Sequence, residues 1–154
     1  MKRDSKLSLA LHILGHMGAA PDRPLQSEVL AGFHATHPVV VRRTLGQLRE
    51  AGLVLSAKGH AGGWRLAKPA AAISVADVYR ALGEQLEPAP GTGPENPPAC
   101  AIERALHGHW TRAVTEAEAL LLDRLSRVSI ADLSASMAGG PLHPHGQGSD
   151  SPKS

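Results

Sequence analysis

Side chains that suit contact with base edges lie at the start of the third predicted helix. Arg42 and Arg43 fall within its first two turns, and Gln47 lies about one turn further along. An arginine can donate two hydrogen bonds to guanine, and an exposed valine can touch the methyl group of thymine. A helix with such side chains on its outer face can read duplex DNA from the major groove. The contacts predicted on this helix are His37, Val39, Arg42, Arg43 and Gln47.

A second basic feature is a glycine-rich segment between two short apolar runs. Lys58 and His60 lie there beside Gly59, Gly62 and Gly63. Glycines leave the backbone free to turn sharply. A basic side chain at such a tip can pair with phosphates or enter a narrow minor groove. We therefore expect Lys58 and His60 to contact DNA as well.

The sequence contains a single cysteine, Cys100, which limits its redox and metal chemistry. One cysteine cannot form an intramolecular disulfide and cannot supply a site built from four thiolates. Two interpretations stay open. Cys100 is either a small buried residue at the start of a helix, or a thiol sensor, because a helix N-terminus favours the thiolate.

The nine histidines do not form a pattern typical of a metal site. His107 and His109 are two residues apart and would point to different faces of a helix. His34 and His37 flank a predicted turn without an obvious third ligand, and His143-Pro144-His145 lies near the end of the sequence. We expect ordinary polar histidines and no metal site.

Hydrophobic spacing predicts the elements that must position these side chains. Apolar residues three and four apart predict helices over about 5–17, 26–33 and 38–51. Pro38 suits the first turn of the third helix, and Gly52 is placed to cap its end.

A hairpin follows the third predicted helix. Its strands are expected over 53–56 and 64–66, with Trp64 as the packing anchor. Helix, short helix, turn, helix and hairpin is the order of a winged helix-turn-helix.

The second half of the chain predicts a short helix, a loop and a long helix. Ser74 and Asp77 resemble a capping box, which opens a helix that ends near Leu82. Residues 87–98 contain five prolines and two glycines, so they form a loop. Residues 129–133 are expected to form a final short turn. The segment beyond Ala138 lacks periodicity and is expected to be disordered.

The long helix is expected over about 101–127 and carries an apolar stripe along one face. A helix this long that follows a proline-rich loop has little of its own domain to cover that face, so a partner chain is expected to cover it. The predicted dimerisation residues are Ile102, Leu106, Trp110, Ala113, Ala117, Leu121 and Leu125.

Composition and charge exclude several classes of protein. No apolar run approaches the roughly 20 residues of a membrane span, and no cleavable apolar leader follows the basic start. Together with the single cysteine, this predicts a cytoplasmic protein.

The charge is distributed unevenly along the sequence. Residues 1–68 hold ten Lys and Arg against four Asp and Glu, whereas residues 69–154 hold six against ten. A basic first half favours a polyanionic partner.

Taken together, several runs of sequence resemble the Rrf-two-type family of bacterial transcription regulators. This family includes the iron–sulfur cluster biogenesis regulator, the nitric-oxide-sensitive repressor and the cysteine-metabolism repressor. The runs are His37–Leu45, Leu48–Val54, Gly62–Leu66, Ser74–Ala81, Cys100–Leu106 and Ile130–Leu133.

The resemblance implies a homodimer of two winged heads joined through the long helices, which usually acts as a repressor at a pseudo-palindromic operator. By position, Lys58 matches a basic wing residue that similar proteins place in the minor groove. His37 replaces a small polar residue common in the family, so the resemblance does not predict which bases this protein prefers.

Cluster-binding members of the family carry three cysteines in the loop before the long helix. Residues 87–98 contain none, so we expect no iron–sulfur cluster and no other cofactor.

The predicted fold is mainly α with a small β wing. It comprises a DNA-binding head (1–83), a Pro/Gly-rich loop (84–100), a dimerisation helix with a C-terminal turn (101–137) and a disordered tail (138–154). The predicted partners are duplex DNA and a second copy of the chain. The alternative is a winged-helix module that binds proteins and not specific DNA. Motifs of catalysis are absent from the sequence, so an enzyme is not expected.

Overall fold

The computed structural model describes residues 6–57, 59, 62–86 and 100–138. These residues form six α-helices and one antiparallel sheet of two strands. The elements are α1 (Lys6–Ala19), α2 (Ser27–Phe33), α3 (Pro38–Glu50), β1 (Val54–Ala57), β2 (Gly63–Leu66), α4 (Val75–Ala81), α5 (Ala101–Ser126) and α6 (Ile130–Ala138). The predicted fold class is confirmed. The predictions for Lys58, His60, most of the Pro/Gly-rich loop and the tail fall outside the described residues.

One hydrophobic core joins most of these elements. Helix α1 contributes Ile13 and Leu14, both fully buried, and α3 contributes Leu45 and Leu48 from positions one turn apart. Burial of each such side chain is worth about 1.5–3 kcal/mol relative to exposure. Other members come from α2, the wing, α6 and α4 with the segment before it, and they include Leu30, Leu53, Val54, Ile73, Val78 and Ile130. The core therefore fixes the orientation of α3, whose opposite face is exposed.

Both ends of α3 form as the sequence predicts. Pro38 occupies the first turn, where its missing N–H breaks no hydrogen bond. Past the other end, Gly52 has a φ of +70°, a conformation that favours glycine. Its N–H donates to the carbonyl of Arg49, and the N–H of Leu53 donates to that of Leu48, both at 2.9 Å. The chain can therefore leave the helix directly into β1.

The wing is attached to the segment that leads into α2. Strand β1 pairs with β2 in the register Val54↔Leu66. On the other side of β2, Leu25 and Trp64 exchange two backbone hydrogen bonds of 2.9 Å. The indole N–H of Trp64 also donates to the buried hydroxyl of Ser27 at 3.1 Å. This confirms the prediction that Trp64 anchors the hairpin.

The last element differs from the sequence prediction. Instead of a short turn over 129–133, the chain forms the nine-residue helix α6. Ser129 and Asp132 cap it: the N–H of Asp132 donates to the Ser129 hydroxyl, and Asp132 Oδ2 accepts from the N–H of Ser129 at 2.8 Å. The Ser129 hydroxyl also donates to Asp132 Oδ2, and this hydrogen bond, together with the one from the Ser129 N–H, lowers the pKa of Asp132. The same Ser-x-x-Asp pattern at Ser74 and Asp77 forms the predicted capping box of α4.

Helix α6 returns the chain to the head. Ser74 and Ser129 form an isolated antiparallel bridge, in which Val75 N–H donates to Val128 and Ile130 N–H donates to Ile73. The Ser134 hydroxyl lies 2.9 Å from the carbonyl oxygen of Gly15 in α1. The sequence analysis grouped these last residues with the dimerisation helix, whereas the structure places Ile130 and Ser134 in the interior of the head.

The contact between α1 and α6 depends on a glycine. A Cβ at Gly18 would collide with Ser134 Oγ and lie 3.3 Å from Ile130 Cγ2. We expect Gly18→Ala to lower the free energy of unfolding by about 1–3 kcal/mol through overpacking, measured by thermal or denaturant unfolding. Gly46→Ala in α3 is the matched control, because a Cβ there would meet no atom within 4 Å beyond its own stretch of helix backbone. That change should stabilise the protein by about 0.5–1 kcal/mol through helix propensity. If Gly18→Ala is as stable as Gly46→Ala, the contact is not close.

Among the described residues, no helix is both long enough and apolar enough to cross a membrane.

Candidate nucleic-acid interface

Helix α3 has one buried face and one exposed face. Val41, Leu45 and Leu48 are completely buried, whereas Val39 keeps 56% of its surface exposed. Arg42 and Arg43 are exposed on the same outer side. The structure therefore brings together three of the predicted DNA-contacting residues near the start of one helix.

His37 is exposed, and it also caps α3. Its Nδ1 accepts a hydrogen bond from the N–H of Val39 at 3.3 Å. A neutral ring with Nδ1 as acceptor carries its proton on Nε2, so the other edge of the ring is a donor. His37 can therefore hold the helix start and offer an N–H to a phosphate or base.

Gln47 does not share this exposure. Its side chain is half-buried, and Oε1 is shielded from solvent without a hydrogen-bond partner among the described residues. The sequence prediction placed it on the outer face because its position in α3 is one turn beyond Arg43. In the structure it is less accessible than the two arginines.

Arg42 is paired with an acidic residue of α2 that the sequence analysis missed. Its Nη1 lies 3.1 Å from Oε1 of Glu28, with the two side chains 52% and 60% exposed. An ion pair this exposed contributes little to stability. It does cancel part of the positive charge that α3 presents. Within the described part of the chain, Arg43 has no such partner.

Glu28 is therefore expected to restrain binding to DNA. Glu28→Gln removes its charge and frees Arg42, so the affinity for random duplex should rise and the salt dependence should steepen by up to about one counterion. Fluorescence anisotropy across a salt series measures both quantities. Glu50→Gln at the end of α3 is the control, because it makes the same change in net charge away from Arg42. Equal effects of the two changes would mean that the ion pair is irrelevant and only net charge matters.

The wing contributes at least one exposed basic residue beyond those predicted. Arg65 lies on β2 opposite Leu55 and is exposed. The sequence pattern could have predicted this exposure, because side chains alternate between the two faces of a strand. Trp64 and Leu66, on either side of Arg65, pack against the core. Since the wing is bonded to the segment preceding α2, Arg65 has a fixed position relative to α3.

The predicted dimerisation face divides into two parts. Ile102 and Leu106 are 80% and 61% exposed, and Trp110 is 40% exposed. Ala113 and Ala117 are exposed as well, whereas Leu121 and Leu125 are half-buried. The first half of α5 thus carries an apolar stripe that the described part of the chain leaves uncovered. Apolar patches of this kind mark interaction sites.

The second half of α5 is held to the head through Glu118. Its Oε1 accepts hydrogen bonds from the Tyr79 hydroxyl and the N–H of Leu86, both at 3.3 Å. Burial raises the pKa of Tyr79, and the neighbouring Glu118 carboxylate raises it further. Glu118 therefore connects α4, the start of the Pro/Gly-rich loop and α5.

Cys100 is exposed, so the interpretation as a buried residue is wrong. It is the N-cap of α5: its sulfur accepts from the N–H of Glu103 at 3.4 Å, and its own N–H donates to Glu103 Oε2 at 3.2 Å. A thiol at an exposed helix N-terminus is open to oxidants. The spacing Cys-x-x-Glu in the sequence could have predicted this role, because it matches a capping box with sulfur in place of the hydroxyl.

Comparison with known proteins agrees with this geometry. Residues 3–136 match the model of the family Rrf2, described as an iron-dependent transcriptional regulator. The chain is 31% identical over 131 residues to the HTH-type transcriptional regulator YwnA of Bacillus subtilis, a match that covers 84% of this chain and 95% of YwnA. It is 30% identical over 146 residues to the HTH-type regulator Rv1287 of Mycobacterium tuberculosis, covering 94% of this chain and 86% of that protein.

The iron of the family description raises the question of which residues could hold it. The whole sequence has one cysteine, and the described residues contain no group of three or more His, Cys, Asp or Glu side chains arranged to hold a metal ion. The three-cysteine ligand set of the cluster-binding relatives therefore does not fit this chain.

A solved structure shows the same fold. CymR, the global cysteine regulator of Bacillus subtilis, aligns with a TM-score of 0.63 and 22% identity, and the match covers 88% of this chain and 98% of CymR. The family and these relatives are transcriptional regulators and not enzymes. The family match extends over residues 3–136 and agrees with the winged head, its exposed basic helix and the long α5. This chain therefore belongs to the Rrf2 family of transcriptional regulators.

Proposed function

We propose that the protein is a sequence-specific DNA-binding repressor that acts in the cytoplasm as a homodimer on a pseudo-palindromic operator. The observation that carries the proposal is the outer face of α3, where Val39 and Arg43 are exposed opposite a fully buried core face. Arg43 supplies a bidentate donor for guanine, and Val39 an apolar contact for thymine. Arg65 on the wing, together with Lys58 and His60, supplies phosphate or minor-groove contacts.

The homodimer is inferred from α5. The uncovered stripe that begins at Ile102 and continues through Leu106 and Trp110 is suited to pack against its own copy. Pairing by a two-fold axis would present two copies of α3 to two half-sites, which in such dimers lie about 34–36 Å apart or a multiple of that. One head alone offers too few base contacts for useful specificity.

The proposed signal is oxidation of Cys100, and the proposed DNA-binding form contains no iron–sulfur cluster. The exposed thiol stands at the N-terminus of α5, the helix proposed to join the two subunits. Since the chain has no second cysteine, oxidation would give a sulfenic acid, a mixed disulfide or a disulfide between subunits.

Genome-wide binding of the untagged protein, followed by footprinting on the enriched sites, tests the function. The expected result is a protected inverted repeat, bound by colourless protein purified without added iron. Failure to enrich any DNA, or an affinity for the enriched sites equal to that for random duplex, would contradict the proposal and favour the alternative of a protein-interaction module.

Cys100→Ser separates the two parts of the proposal. We expect this variant to fold and to bind the operator like the parent, because a hydroxyl can replace the thiol as the N-cap. Treatment with peroxide or diamide should release the parent and leave the variant bound, as measured by anisotropy. Equal release of both proteins would rule out Cys100 as the signal site while leaving the DNA-binding function in place.

A further inference from the structure

A group of imidazole rings lies between α1 and the end of α2. His12 and His16 are one turn apart on α1, and both are half-buried. The ring of His34, just after α2, is centred 5.0 Å from that of His12. Phe33 stacks on His16 with ring centres 4.0 Å apart. The proposed function uses none of these four side chains.

Two acceptors in this cluster compete for one proton. His12 Nε2 lies 3.2 Å from His16 Nε2 and 3.1 Å from the carbonyl oxygen of Phe33. A neutral imidazole carries a single N–H. Both contacts can be hydrogen bonds only when that proton is on His12 Nε2 and is divided between the two acceptors. Three electron-pair donors therefore converge on one hydrogen.

We propose that His12 and His16 form a chelating site for a divalent transition metal ion, with the Phe33 carbonyl oxygen beside it. In tetrahedral coordination with metal–nitrogen bonds of about 2.0–2.1 Å, two ligand nitrogens are about 3.3–3.4 Å apart. The observed separation of the two Nε2 atoms is 3.2 Å. The pair is thus already spaced as two ligands of one ion, and a cation would satisfy the lone pairs that a single proton cannot.

The surroundings favour the neutral rings that a metal requires. Burial lowers the pKa of His12, and the nearby His34 ring lowers it further. Burial also lowers the pKa of His16, with a further contribution from His12. Imidazole nitrogen is a preferred ligand of Zn²⁺, Ni²⁺ and Cu²⁺. No third ligand side chain completes the site among the described residues. Water is expected to fill the remaining positions.

Titration calorimetry with Zn²⁺ at pH 7.5 tests the site. The full chain carrying H143Q and H145Q serves as the parent, so that the histidines near its end do not compete. We expect one ion per chain. Either His12→Gln or His16→Gln should weaken binding at least about tenfold, since the second imidazole of a chelate binds at high effective concentration. His109→Gln on α5 is the control and should bind like the parent. An unchanged isotherm for His16→Gln would overturn the proposal.

A second measurement on the unsubstituted chain covers the case in which a variant does not fold. Nitrogen NMR of the histidine rings, recorded with and without Zn²⁺, reports which ring nitrogens become ligands. The proposal requires that Nε2 of His12 and Nε2 of His16 shift together and saturate at one equivalent. Shifts confined to other histidines would refute it.

Discussion

Leu106→Asp is expected to separate the proposed dimer and reduce operator affinity at least about 100-fold. Leu106 is 61% exposed in the single chain and lies between Ile102 and Trp110 on the uncovered stripe of α5. Two carboxylates would enter the seam of a symmetric dimer without a compensating charge. Regulators of this kind bind specific sites about 10³-fold or more tightly than random DNA, a difference that needs both half-sites. Sedimentation velocity measures the first effect, and anisotropy on the footprinted operator measures the second.

Ala119→Asp provides the matched control for Leu106→Asp. It introduces the same charge into the same helix at an exposed position about 140° around the axis from Leu106. It should leave both the sedimentation coefficient and the operator affinity close to those of the parent. A Leu106→Asp variant that remains a dimer and binds the operator normally would show that this stripe is not the interface.

Arg43→Ala is expected to weaken operator binding by about 5- to 150-fold, which corresponds to about 1–3 kcal/mol for loss of a bidentate contact with guanine. Arg43 is the better choice of the two arginines, because Arg42 is already paired with Glu28. The loss should be confined to the true operator, so the ratio of specific to random binding should fall. Competition anisotropy with operator duplexes altered at single base pairs would locate the base that is read.

Arg49→Ala in the last turn of α3 is the control for that measurement. Arg49 is exposed but lies further from the helix start, where a recognition helix approaches the bases. It should change affinity for operator and random DNA alike, and by less. If Arg43→Ala also weakens both equally, Arg43 contacts only phosphates.

Local signals in the sequence predicted much of the fold. Pro38 and Gly52 bounded α3 because each has a conformational preference that needs no tertiary information. The Ser74 capping box acts over three residues and was recognised for the same reason. The cap at Ser129 has the same pattern, but the sequence analysis took the residues after it as a short turn and not as the nine-residue helix α6. Helix α6 is stabilised by its contact with α1, more than 100 residues earlier in the chain.

The candidate site was harder to predict, because its charges are set by contacts between elements. Glu28 and Arg42 are 14 residues apart and meet only when α2 crosses α3. Gln47 has the spacing of an outward residue but is half-buried in the folded chain. The sequence shows that His12 and His16 are four residues apart, which places them on one face of a helix. It does not show their contact with Phe33, because that contact forms only when the end of α2 packs against α1.

The bridge between Ser74 and Ser129 has a consequence for folding during protein synthesis, because its two residues lie on opposite sides of α5 in the sequence. Ile130 fills the interior of the head, yet it follows the whole of α5 in the chain. During synthesis, the DNA-binding head therefore cannot be completed until α5 has already left the ribosome. A nascent or proteolysed chain that ends before α5 lacks the partners of Ile73 and Val75 and leaves the core open. The segment proposed to pair the subunits is therefore synthesised before the residues that complete the core of the head.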